Sequence, residues 1–245
     1  MSRYGLIAFA GYLVFLAATV PARLVLPHVG LPPSLAITEV RGSIWSGQAV
    51  LTTTAQPASI LSRVRFHVWL GALLHGRWGY VLHGQGPLAG DVSVAVGRHR
   101  IELADMVLKA TAGSVGPLVP GLRDAGASGA FVMRDRDWVM GAHAHGGGQL
   151  SWHDAGLVAA PVDPLGSYRV TFTMTPAGAV YRIRTLTGRL TITGGGHYEA
   201  ASRMVSFRGF VTGHGLRLQG FLRSVGFFAR HVGRPIRLRL PVAAL

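Results

Sequence analysis

The sequence predicts a mainly β fold: an N-terminal transmembrane helix followed by a curled antiparallel β-sheet meander with one or two short helices. Three observations predict it. Residues 4–22 carry no charge, apolar residues beyond position 35 recur with a period of two, and 34 glycines accompany a charged fraction of only 14%.

Residues 4–22 lie between Arg3 and Arg23 and are close to the roughly 20 residues that cross a bilayer. The alternatives are a cleaved signal, since Val20, Pro21 and Ala22 imitate a small-x-small site imperfectly, and a buried core helix. Arg3 would hold the N-terminus in the cytoplasm, and the long basic remainder would be exported, because long domains translocate largely regardless of charge. The predicted division is a membrane anchor over 1–23, a stem over 24–34 punctuated by Pro27, Pro32 and Pro33, and a β-rich domain over 35–245.

Within that domain Val92, Val94 and Val96 alternate with Ser93 and Ala95. Tyr168, Val170, Phe172 and Met174 alternate with Arg169, Thr171 and Thr173, so each strand buries one face. Turn signals fall at residues 84–87, 146–148, 176–178 and 194–196, a spacing that suits a meander better than crossover helices. Residues 114–124 allow at most a short helical turn. Leu218, Phe221, Leu222, Val225 and Phe228 have helical spacing and predict a helix over 216–231, packed on the sheet or lying on a membrane surface. A last strand is expected from Ile236 to Val242.

The charge balance is 24 Lys+Arg against 10 Asp+Glu, a net +14. Such a surface seeks anions, but the arginines are dispersed among apolar residues and read as solvent-facing rows of strands, not as a nucleic-acid patch. No cysteine is present, so disulfides and thiolate metal sites are excluded.

Candidate chemistry is sparse. His143 and His145, two apart on a strand, would share a face, with His153 nearby and residues 146–148 as the turn between them; without an acidic ligand beyond Asp154, exposed or hydrogen-bonded histidines are the expectation and no metal is assigned. Asp135 and Asp137 alternate with Arg134 and Arg136, which favours neutralised turn charges over an acid and base pair. No nucleophile elbow, phosphate loop or dinucleotide fingerprint occurs. Neither an enzyme nor a cofactor is expected. Trp45, flanked by Gly42 and Gly47, is expected at an inward strand position, and Trp69, Trp78, Trp138 and Trp152 at strand centres in the core.

The anchor, Leu35 to Gly47, Val68 to Arg77, Gly148 to Trp152, Leu165 to Tyr168 and Gly188 to Gly194 occur in an order that resembles the type II secretion system protein N family, also called general secretion pathway protein N. The resemblance spans nearly the whole chain. It implies a single-pass inner-membrane protein of Gram-negative bacteria whose periplasmic domain contacts other type II secretion components and supports export of folded proteins, with no catalytic residues. The element from Gly42 to Gly47 is also similar to AsmA-like envelope proteins, which implies the alternative of a concave apolar sheet binding or carrying lipid. In either case Tyr168, Val170, Phe172 and Met174 would form the apolar or partner-contact face, and Gly42, Trp45, Gly47, Trp69 and Trp152 the structural motif.

Overall fold

The computed structural model describes residues 19–24, 35–54, 60–73, 76–97, 100–135, 137–141, 145–215, 217–218 and 236–241. Among the described residues fourteen strands form one sheet: β1 (Leu35–Gly42), β2 (Ser46–Thr53), β3 (Ile60–Val68), β4 (Trp78–Gln85), β5 (Leu88–Val96), β6 (Arg100–Thr111), β7 (Ala127–Asp135), β8 (Asp137–Gly141), β9 (Gly146–Leu157), β10 (Gly166–Thr175), β11 (Gly178–Gly188), β12 (Leu190–Glu199), β13 (Met204–Gly213) and β14 (Ile236–Pro241). Each pairs antiparallel with its chain neighbour, except that β6 holds β7 along one part and β8 along another, so that β9 pairs with β7. The sheet ends in β1 and β14, and no ladder joins them among the described residues. The antiparallel meander read from the period of two is therefore the architecture found.

Directly opposed residues share a face, so the registers can be followed across the sheet. One row runs Ala49, Val64, Gly84, Gly90, Leu108, Met133, Leu150, Val170, Ile183, Gly194, Gly209, through eleven strands without a polar side chain. The adjacent residues make the opposite row: Arg41, Gln48, Arg65, His83, Asp91, Val107, Arg134, Gln149, Thr171, Arg182, Gly195, Arg208. Five arginines against one aspartate make this face basic. The whole sheet is amphipathic, apolar on one side and cationic on the other.

Bulges bend it. Register shifts in β1–β2, β5–β6 and β7–β9 coincide with Glu39, Asp105 and Asp154 at positive φ, and an extra residue on one strand raises the local twist. Among the described residues three short helices interrupt the meander: α1 (Leu70–Leu73) between β3 and β4, and α2 (Ala112–Val115) and α3 (Pro120–Asp124) between β6 and β7. Thr111 caps α2 reciprocally with Ser114, and Pro120 opens α3 at a position that tolerates its missing N–H. The sequence predicts at most one short helical turn over 114–124; two short helices are found there, the first beginning at Ala112.

Two turn expectations are corrected. Residues 146–148 and 194–196 are not turns but lie inside β9 and β12. Their lack of side chains makes room for rings on neighbouring strands: a Cβ on Gly148 would meet the Phe172 ring at 2.7 Å, and one on Gly194 the Phe207 ring at 2.8 Å.

No helix among the described residues is long and apolar enough to cross a membrane. Most of the predicted anchor, the stem beyond Leu24 and the predicted helix beyond Leu218 lie outside the described residues. Leu218 itself is buried with Leu165 against Leu157, Leu190 and Val211. At the other end of the sheet Ala22 is buried, Pro21 bridges to Ser43, and the Ile44 N–H donates to the Val20 carbonyl at 2.9 Å.

On the basic face Arg169 stands directly opposite Arg184, and the Arg169 Nε–H is buried without a partner. Like charges in opposed positions destabilise, so Arg184→Thr should raise stability by about 0.5 kcal/mol. Thermal unfolding is expected to show a gain that shrinks on adding about 0.5 M salt, where screening already relieves the repulsion.

Candidate functional site

Tyr168, Val170, Phe172 and Met174 lie along one face of β10, and the alternate Thr171, Thr173 and Thr175 are exposed. Tyr168 is opposed by Trp152 on β9, and Trp152 by Phe131 on β7. The Trp152 ring lies 5.2 Å from Phe131 and 6.3 Å from Tyr168, while Phe172 meets Trp138 edge-on at 6.1 Å. Both polar tips find carbonyls: the Trp152 Nε1–H donates to Ser128 at 2.9 Å and the Tyr168 hydroxyl to Leu190 at 3.0 Å. Tyr168 is only 6% exposed, and burial pushes its hydroxyl up to about 12. Burial also raises Tyr80 and Tyr181 above the ordinary tyrosine value. Val170, Phe172 and Met174 are only partly buried, so this side of the sheet retains accessible apolar surface.

The Gly42 to Gly47 element is a tight hairpin. Gly42 has φ +98° and opposes Gly47, and a Cβ on Gly47 would lie 2.4 Å from the Arg41 carbonyl and 2.6 Å from the Phe66 ring. Trp45 sits in the bend between β1 and β2, not at a strand position, with its ring 5.9 Å from Trp78. Trp69 follows β3 and Trp78 begins β4, so neither occupies a strand centre, and both are exposed. Trp138 stands second in the five residues of β8, and Trp152 lies mid-way along β9.

Of the candidate histidines, the two described ones, His145 and His153, do not converge. His143 lies outside the described residues, His145 bridges to Val139 ahead of β9, and His153 is most of the length of β9 away. No cluster of three metal-ligating side chains occurs among the described residues. Asp135 is buried at the end of β7 and Asp137 is exposed at the start of β8, on separate strands.

Sequence reasoning missed a cleft of about 280 Å³ on the basic face, lined by Glu39, Arg41, Gln48, Arg63, Arg65 and Gln85 around Val50. Arg41, Arg63 and Arg65 come from three different runs of the chain. The alternation of Arg63 and Arg65 was the one visible signal, because it sets both on one side of β3.

Comparison with curated proteins finds no match, and comparison with solved structures finds none. The family model described as type II secretion system (T2SS), protein N matches residues 33–238, which takes in every strand but the last few residues of β14. The chain belongs to the type II secretion system protein N family.

Proposed function

We propose that this chain is an accessory inner-membrane component of the type II secretion system, anchored by residues 4–22, with the sheet in the periplasm contacting other components of the machine. Membership of a secretion-component family, not known to hold enzymes, supports the system assignment and an envelope location. The observation that carries the contact role is the open sheet: β1 and β14 each pair on one side only among the described residues, leaving edges to which another chain can add a strand. A photo-reactive residue replacing the exposed Glu39 on β1 should form adducts with other secretion components in secreting cells, and the same probe replacing Thr173 in mid-sheet should not. Equal labelling at both positions, or none, overturns the edge-strand role.

A second reading rests on a separate observation. The uninterrupted apolar row across eleven strands, partly accessible around Val170 and Phe172, favours an AsmA-like lipid-binding face. Lipid recovered in near-stoichiometric amount from the purified full chain would support it; lipid-free protein would dispose of it.

A further inference from the structure

We propose that the cationic side of the sheet over β10–β13 is a docking face for an extended acidic segment of another protein, with the carboxylates on Arg169, Arg182, Arg184 and Arg208 and apolar side chains on Val180 and Phe210. This face is separate from the edges at β1 and β14, so the proposal stands apart from the strand-addition role.

The registers bring the four arginines together. Arg169 on β10 is opposed by Arg184 on β11, and Arg182 precedes Arg184 on the same side of that strand, two residues or roughly 7 Å away. Across β12 from Arg182 stands Arg208 on β13, about 10 Å off, with only Gly195 between them, so no side chain fills the gap. The two rows that run through these positions from β7 to β13 hold no carboxylate. None of the four arginines has an ion pair among the described residues, whereas Arg77, Arg100 and Arg123 each have one.

Stability does not account for this arrangement. Opposed guanidinium groups repel, and the buried Arg169 Nε–H has no acceptor, so the chain carries two unfavourable features on adjoining strands. Breaches of local preference of this kind concentrate at functional sites, where a ligand supplies what the chain lacks. An oxyanion bridging Arg169 and Arg184 offsets their repulsion, and each guanidinium can hold it bidentately.

The apolar neighbours select a protein segment. Val180 is 56% exposed and Phe210 50%, and both lie on this same side, Val180 two residues before Arg182 and Phe210 two residues after Arg208. Phe210 is joined to Arg184 through Thr193, which opposes both. Arginine beside an exposed aromatic ring is the composition of a protein interface. Val180, Arg182 and Arg184 repeat at the pitch of an extended chain, so a segment lying along β11 brings its own alternate side chains into step with them, one apolar and two acidic. Polyphosphate or a lipid headgroup matches the charge but offers nothing to Phe210.

The test is binding of the full chain, in neutral detergent, to a fluorescent glutamate–tyrosine copolymer and to polyglutamate. The copolymer should bind about fivefold more tightly, and Phe210→Ala should abolish that preference while sparing polyglutamate. R182Q/R184Q/R208Q should weaken copolymer binding about tenfold, and about 0.5 M salt should do the same to the wild type. R41Q/R63Q/R65Q removes the same charge from the far end of the same side and should cost less than about twofold. Arg184→Thr, which should raise stability, should nevertheless weaken binding about threefold, so loss of binding is read apart from loss of fold. Circular dichroism checks the fold of both triple variants. Equal weakening by the two triple variants, unchanged affinity in Arg184→Thr, or no preference for the copolymer overturns the proposal. Tighter binding of polyphosphate or of dihexanoyl phosphatidylglycerol than of the copolymer also overturns it and assigns the arginines to phosphate. Adducts from the probe at Glu39 report the edge contact whichever result is obtained.

Discussion

Gly90→Ala is expected to destabilise the protein by about 3 kcal/mol or more. Gly90 lies in β5 at φ +148°, a conformation that side chains with a Cβ rarely adopt. An added Cβ would stand 1.9 Å from the Val107 carbonyl oxygen and 2.9 Å from the Leu108 Cα. Those atoms are backbone and cannot swing away as the end of a flexible side chain can. Relief requires parting β5 from β6 beside the existing bulge between Asp91 and Ser93, near the middle of the apolar row. Urea unfolding followed by circular dichroism should show a lowered midpoint. Gly113→Ala is the control: Gly113 lies in helix α2 with open space where its Cβ would go, so that change should stabilise by about 0.5 kcal/mol. Equal behaviour of the two variants would show that the β5–β6 approach is looser than described.

Tyr168→Ala is expected to cost a further example of the same magnitude, about 3–5 kcal/mol, because the ring fills the space between Trp152 and the β10–β11 bulge. Tyr168→Phe keeps the ring and leaves the Leu190 carbonyl without its donor, for about 1 kcal/mol. The two should differ most in alkali. The hydroxyl titrates at about 12 in the folded chain and near its ordinary value of 10.0 when unfolded, so the folded state keeps a proton that the unfolded state gives up. Its contribution is fully present below pH 10 and is lost as pH rises towards 12, by up to about 2–3 kcal/mol. Stability of the Phe variant, measured by urea titration across that window, should therefore fall less steeply than wild type. Some slope should remain, since Tyr80 and Tyr181 shift in the same direction.

The parts of the fold legible in the sequence were those encoded within one strand. The alternation from Tyr168 to Met174 gives β10 and its inward side without knowledge of any neighbour. What was hidden depends on partners elsewhere in the chain. The glycines at 194–196 look like a turn locally, but they serve the Tyr181 and Phe207 rings, whose positions are set only by the β11–β12 and β12–β13 registers. Trp69 and Trp78 carry no local mark of exposure, because only the stacking of alternate connections at one end makes a rim of them. The arginine cleft was half visible: Arg63 and Arg65 announce a shared side, whereas Arg41 joins them through the β1–β2 and β2–β3 ladders.

The split pairing of β6 has a consequence for assembly. With the exception of that strand and the jump it forces from β7 to β9, every ladder links a strand to the one made just before it. Most loop closures are short, the 22 residues between β13 and β14 being the main exception, so the entropic toll of most pairings is small and structure can grow from the first hairpin onward. A chain whose β1 enters a compartment first would find each new strand's docking edge already built, and only β9 would have to wait, since both β7 and the β8 detour must settle before its place is defined. Folding is thus expected to pause once, midway, with the halves before and after it zipping in order.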